Sequence, residues 1–178
     1  MLIGLKIMVA MLGLTALGAI AQSPVPKPPS PDKALRARFF AHHADFEKLV
    51  AMANEDSRLT RIAPDFTWLD DDVAWPRSNV GISEQRWAEY RQIFRRIGVM
   101  EGILKYTNPT LIMFPIMSVG LVPSGSAKGI AYSEAPLSPA LKSLDQRPPD
   151  EFWNGPDRSH VLVYKQITAH WYIYFQQW

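Results

Sequence analysis

The chain has 178 residues, 47% of them hydrophobic, 20% charged and 11% aromatic, which is the composition of an ordinary globular protein. A formal net charge of +2 supplies no basic excess of the kind that nucleic-acid binding requires, so nucleic acid is excluded as an expected partner. The absence of cysteine rules out disulfides, thiolate metal sites and a Cys nucleophile, and also the residue that a lipoprotein anchor modifies.

The amino-terminal segment has three parts in a fixed order. Lys6 makes a weakly positive start, an uncharged apolar run follows from Ile7 to Ala21, and Ala19-Ile20-Ala21 closes it with small residues at the positions a signal peptidase reads. The apolar run is shorter than the ~20 residues that span a bilayer, so residues 1–21 are expected to be cleaved, with membrane contact only if they are retained. The expected location is therefore exported, periplasmic or secreted. Residues 22–32 form a spacer, with five prolines in the eight residues 24–31, a density that forbids helix and favours extended polyproline II.

Residues 33–178 read as a single domain. Leu35, Phe39, His42, Phe46, Leu49, Val50 and Ala53 recur at three- and four-residue spacing, which predicts a helix over about 33–55. Leu59 to Ala63 reads as a short strand or turn, and Pro64 to Asn79 as irregular. Ser83 is the expected N-cap of a second helix that carries Trp87, Tyr90, Phe94 and Ile97 on one face and ends at Gly98. Leu111 to Leu121 is apolar and β-prone, with Pro115 marking an edge or a bulge. Residues 122–126 read as a turn and Lys128 to Ser133 as the returning strand. Residues 134–158, with five prolines, read as a loop with a helical turn near Leu141. His160 to Ile167 and Trp171 to Gln176 read as two strands joined by a short turn.

Helices first and strands last predict an α+β fold, with two N-terminal helices packed on a four- to five-stranded antiparallel sheet. This order of elements and the closing aromatic strand resemble the NTF2-like cone, in which helices precede a curved sheet around a pocket. The likeness is architectural, spans residues 33–178 and rests on no motif; an open plait-like layer fits the same order.

No residue pattern names a reaction. His42 and Asp45, one turn apart, are the candidates for a general base with its orienting carboxylate. Asp70, Asp71 and Asp72 fail as a calcium loop, because Trp75 and Gly81 stand where that loop needs Gly and Glu. The four histidines show no zinc spacing, and neither a metal nor another cofactor is expected. Ser124 to Gly129 is a small-residue segment in which Lys128 could neutralise an anion. The last strand has two non-polar faces, Trp171, Ile173 and Phe175 on one and Tyr172, Tyr174 and Gln176 on the other, while Val161 and Val163 alternate against Leu162 and Tyr164. One face must cover the helices. The other is expected to be a recognition surface, with Tyr164, Tyr172 and Tyr174 as ligand-binding residues and Lys128 at their rim. The expected function is a non-enzymatic exported domain that binds an unidentified small ligand or an envelope protein. The alternative is a small hydrolase or isomerase built around His42.

Overall fold

The computed structural model describes residues 31–76, 79–121, 124–154 and 160–178. The export segment, most of the spacer and the tip of the predicted turn at 122–123 lie outside them. Among these residues three α-helices and eight strands follow in the order α1 (Asp32–Ala41), α2 (His43–Glu55), β1 (Leu59–Ile62), β2 (Thr67–Leu69), β3 (Asp72–Ala74), α3 (Glu84–Ile97), β4 (Ile103–Tyr106), β5 (Leu111–Leu121), β6 (Ser124–Ser133), β7 (Val161–Thr168) and β8 (Trp171–Gln177). The strands form one antiparallel sheet in the order β3-β2-β1-β4-β5-β6-β8-β7. The fold is α+β, as the element order implies, with one helix and at least three strands more than expected.

The extra elements are short. The predicted 33–55 helix breaks at His42, whose backbone leaves the helical region (φ −127°, ψ 24°) while its amide still bonds to the carbonyls of Arg38 and Phe39. Within the stretch expected to be irregular, β2 and β3 make a hairpin whose two turn residues, Asp70 and Asp71, both have positive φ (52° and 70°). Aspartate tolerates that region, and two such residues match the twist of a tight hairpin. Residues 124–126 belong to β6, not to a turn, with Leu121 paired to Ser124. Near Leu141 the chain is extended, bridging through Ala140 to Tyr164, and the helical turn of this region lies at Asp150–Phe152.

α3 has the expected ends. The Ser83 hydroxyl accepts from the Arg86 amide at 3.1 Å, and Gly98 takes the left-handed conformation (φ 70°) that a residue with a Cβ resists. Ser83→Ala is expected to cost about 1 kcal/mol in denaturant unfolding, since one amide of the first turn loses its acceptor.

One face of the sheet meets the helices. Phe46 packs edge-on to Phe114 at 5.3 Å, Phe39 and Trp171 lie 5.1 Å apart, and Ile112, Ile130, Val163 and Ile173 are buried beside them. The Trp171 indole N–H reaches the Glu47 carboxylate (2.9 Å), and that of Trp87 reaches the Ala63 carbonyl (2.8 Å), so neither ring leaves a buried donor unpaired. Lys105 is buried on the same side and donates to the Ala53 carbonyl in the last turn of α2, where a cation complements the helix dipole. Among the described residues no helix packs on the opposite face. Its middle is a second, smaller cluster of Met113, Ala127, Ala131, Tyr164, Tyr172 and Tyr174. The segment after β6 wraps the open edge of β7: Leu137 lies on the second face, Ala140 bridges to Tyr164, and Leu141 and Leu144 enter the helix-side core. That wrap covers the outer β7 edge, which would otherwise offer unpaired backbone groups.

Candidate functional site

The residues singled out from the sequence divide between the two sides of the sheet. Lys128 shares its side of β6 with Ile130 and Tyr132, which pack in the helix-side core, whereas Ala127 and Ala131 face the other way. It does not rim the tyrosine surface. Its side chain is 1% exposed, and its Nζ lies 2.8 Å from Asp32 Oδ1 and 2.9 Å from both Asp145 Oδ1 and the Leu144 carbonyl. Lys165 adds a second ammonium 2.8 Å from Asp32 Oδ2. This cluster ties the first residue of α1 to β6, β7 and the 141–145 segment. Nor are the backbone amides of Ser124 to Gly129 open to a ligand, because β6 is paired on both sides, to β5 and β8.

Burial alone would raise the Asp32 carboxyl, but hydrogen bonds from Lys128, Lys165 and the Leu144 amide outweigh it and hold the group at about 2, against an ordinary 3.8. A pKa lowered on folding stabilises the fold in full above the unfolded value and loses that contribution as pH falls through the folded one. Stability is therefore expected to drop by about 2 kcal/mol between pH 4 and pH 2 on this account. Denaturant unfolding at a series of pH values should show the drop in the native chain, and a flatter acid limb in Asp32→Asn.

His42 and Asp45 do stand one turn apart, with His42 Nδ1 3.6 Å from Asp45 Oδ2. However, the kink turns His42 partly outward, and the Asp45 carboxylate is engaged by both Nε and Nη2 of Arg96. Those contacts hold Asp45 below the ordinary carboxylate range, with the Arg96 hydrogen bond the main cause. His42 follows the last residue of α1 and Asp32 is its first, about 15 Å apart by helix rise. The structure thus does not bring His42 together with Lys128 or with the tyrosines across the sheet. His43 bonds instead to Glu47 (3.2 Å). Asp70 pairs with Arg58 at the hairpin. Among the described residues no three His, Asp or Glu side chains cluster as a metal site would require.

The tyrosines lie where the strand alternation places them, on the helix-free face, but they are not a bare surface. Tyr164 and Tyr172 are buried and stack edge to face at 6.2 Å, with Leu137 packed against their cluster and the Pro139–Ala140 stretch paired along the Tyr164 backbone at the sheet edge. Burial pushes the Tyr164 phenol up to about 12, so it is neutral at ordinary pH. Tyr174, equally buried and also raised chiefly by burial, lines a cavity of about 390 Å³.

That cavity is the feature the sequence did not reveal. Trp68 of β2, Arg61 of β1, Leu104 and Tyr106 of β4, and Trp178 at the end of the chain surround it with Tyr174. Trp68 and Tyr106 present large rings to solvent, at 37% and 47% exposure. A second cavity of about 440 Å³ adjoins it through Tyr106 and Gln176, and is walled by Leu111, Met113, Leu137 and Leu162. Together they make an open trough along the helix-free face. Arg61 stands at one end, its Nη2 donating to the Glu101 carbonyl at 2.8 Å. Burial lowers its pKa, and the charge of Glu101 offsets only part of that. The trough can hold a mainly apolar ligand and orient it by a few polar groups, the ordinary make-up of a small-molecule site. Strand alternation pointed to Tyr174. Trp68 and Tyr106 sit in strands too short to show a period, so no sequence signal marked them.

No protein-family model matches this chain, and neither a curated protein nor a solved structure matches it.

Proposed function

We propose that this chain is an exported, non-enzymatic protein that binds a small ligand in the trough on the helix-free face of its sheet. The observation that carries the proposal is the aromatic wall of Trp68, Tyr106, Tyr174 and Trp178 around an open cavity of about 390 Å³. Of these rings Trp68 and Tyr106 are exposed, and large exposed aromatic rings beside a cavity favour contact with a partner molecule. Among the described residues no histidine lines either half of the trough and its charged side chains are Arg61 and Glu101, which favours binding over acid–base chemistry. Export is supported by the order Lys6, apolar run, Ala19-Ile20-Ala21. The NTF2-like cone is the architecture we attach to this reading, on the helix pair α1 and α2 that precedes an antiparallel sheet, although β1, β2 and β3 come before α3 and the cavities lie away from the helices.

A screen of small molecules by heteronuclear NMR tests the binding site. Saturable shifts of the Trp68 and Trp178 indole signals are expected for the ligand class that fits. Trp68→Ala and Tyr106→Ala should weaken that binding at least about tenfold while the protein stays folded, at a stability cost of about 1–2 kcal/mol for rings 37% and 47% exposed. A folded protein whose indole signals respond to no compound would refute the site. Separately, fractionation of expressing cells should find the protein in the envelope or the medium without residues 1–21.

A further inference from the structure

We infer that the ligand of this trough is an organic anion with an apolar tail: its carboxylate, or a phosphate in the same role, sits on Arg61 and its tail runs over Leu111, Met113, Leu137 and Leu162. The inference rests on the trough being the ligand site and adds the chemical class of its occupant.

Three observations carry it. First, the trough is charged at one end only. Arg61 and Glu101 border the first cavity, whereas the second, lined by Leu111, Met113, Leu137 and Leu162 together with Thr107, Asn108 and Pro109, has no charged residue among the described ones and meets the first through Tyr106 and Gln176. Second, Arg61 is a buried cation with donors to spare. Its side chain is 13% exposed, and of its five N–H donors the only hydrogen bond among the described residues is made by Nη2, to the Glu101 carbonyl. Third, its nearest carboxylate does not neutralise it fully. Glu101 Oε2 lies 4.0 Å away, beyond hydrogen-bond reach, on a side chain that is 44% exposed and so screened by water. The Phe66 ring, 6.0 Å from the guanidinium carbon, adds only a weak cation–π contact. The guanidinium stands among Trp68, Leu104 and Tyr174, and its Nε and Nη1, which have no partner among the described residues, are free to donate to a ligand. A carboxylate set bidentate on one edge of the guanidinium, taking the second N–H of Nη2 together with either Nε or Nη1, supplies acceptors on that edge and the opposing charge.

Calorimetry and NMR on the intact exported domain, with decanoate, decan-1-ol and inorganic phosphate as probes below any micelle concentration, test this. Decanoate is expected to bind and to shift the Trp68 indole and the Leu162 methyl signals together. Decan-1-ol should bind at least about tenfold more weakly, the value of one charge-assisted hydrogen-bonded pair. Phosphate alone should shift Trp68 but not Leu162. Arg61→Met should abolish the preference for decanoate over decan-1-ol, and Leu162→Trp, which fills the tail end, should weaken decanoate while leaving the phosphate response intact. Equal binding of acid and alcohol by the unaltered protein overturns the anion inference and leaves the trough as a binding site. Should no probe move either signal, the anion inference is overturned. The trough itself falls only if the wider screen is silent as well.

Discussion

Lys128→Met is expected to lower the unfolding free energy by about 3–5 kcal/mol, the usual loss when one partner is removed from a buried ion pair. The side chain is 1% exposed and sits between two carboxylates, Asp32 and Asp145, with the Leu144 carbonyl as a third acceptor. Methionine fills similar volume, so little of the loss arises from a cavity. It arises from leaving Asp32 buried with one ammonium, Lys165, where there were two. A domain of this size is held by about 5–15 kcal/mol in total, so the melting temperature read by circular dichroism should fall by about 10 °C. The double variant Lys128→Met with Asp32→Asn should recover part of the loss, because the orphaned charge is then gone. A loss below about 1 kcal/mol in the single variant would mean that water reaches the cluster and screens it.

Gly102→Ala is expected to be as damaging, by about 3 kcal/mol or more, and for a backbone reason. Gly102 leads into β4 with φ +77°, and a Cβ there would stand 1.9 Å from the Ile62 carbonyl oxygen and 2.8 Å from the Ala63 Cα. The left-handed conformation alone costs an L-residue about 1–2 kcal/mol. The remainder follows because the atoms in the way are main chain, so β1 and β4 must separate where Ile62 pairs with Ile103. Gly81 is the control. Its φ is similar (+78°), but a Cβ would meet only the ends of Leu69 and Leu59 side chains, at 2.8 and 2.9 Å. Those can rotate away, and Gly81→Ala should cost no more than about 2 kcal/mol. Gly102→Ala also shifts Arg61 and Glu101, the two charged groups of the trough, so binding should fall even where the protein remains folded. Equal stability of the two variants in denaturant would show that β1 and β4 separate without cost.

Several elements were legible because their signal is local. α3 is bounded by a hydroxyl that accepts from Arg86 and a glycine that accepts positive φ, and both constraints are written in single residues, Ser83 and Gly98. β7 and β8 were legible because alternation over seven or eight residues has one interpretation. Pro115 was expected at an edge or bulge, and it stands at the bulge between β5 and β6, beyond the last pairing with β4. By contrast β2, β3 and β4 have three or four residues each, too few for a period to emerge, and they hold Trp68 and Tyr106. The glycines and serines of 124–129 resemble a turn in isolation. In the sheet they serve close packing, with a Cβ at Gly129 only 2.1 Å from the Phe114 carbonyl oxygen.

What the sequence determined by itself is the class α+β, the ends of α3, and a final strand pair with two non-polar faces. Each follows from interactions within a few residues, which composition and spacing encode directly. Only the tertiary structure decided which of those faces the helices cover, and hence that Lys128 is a buried clamp on Asp32 while Arg61 borders an open trough. That outcome depends on pairing residues far apart in the chain. A charged side chain is structural or available according to whether a distant carboxylate reaches it, and no local pattern records that distance.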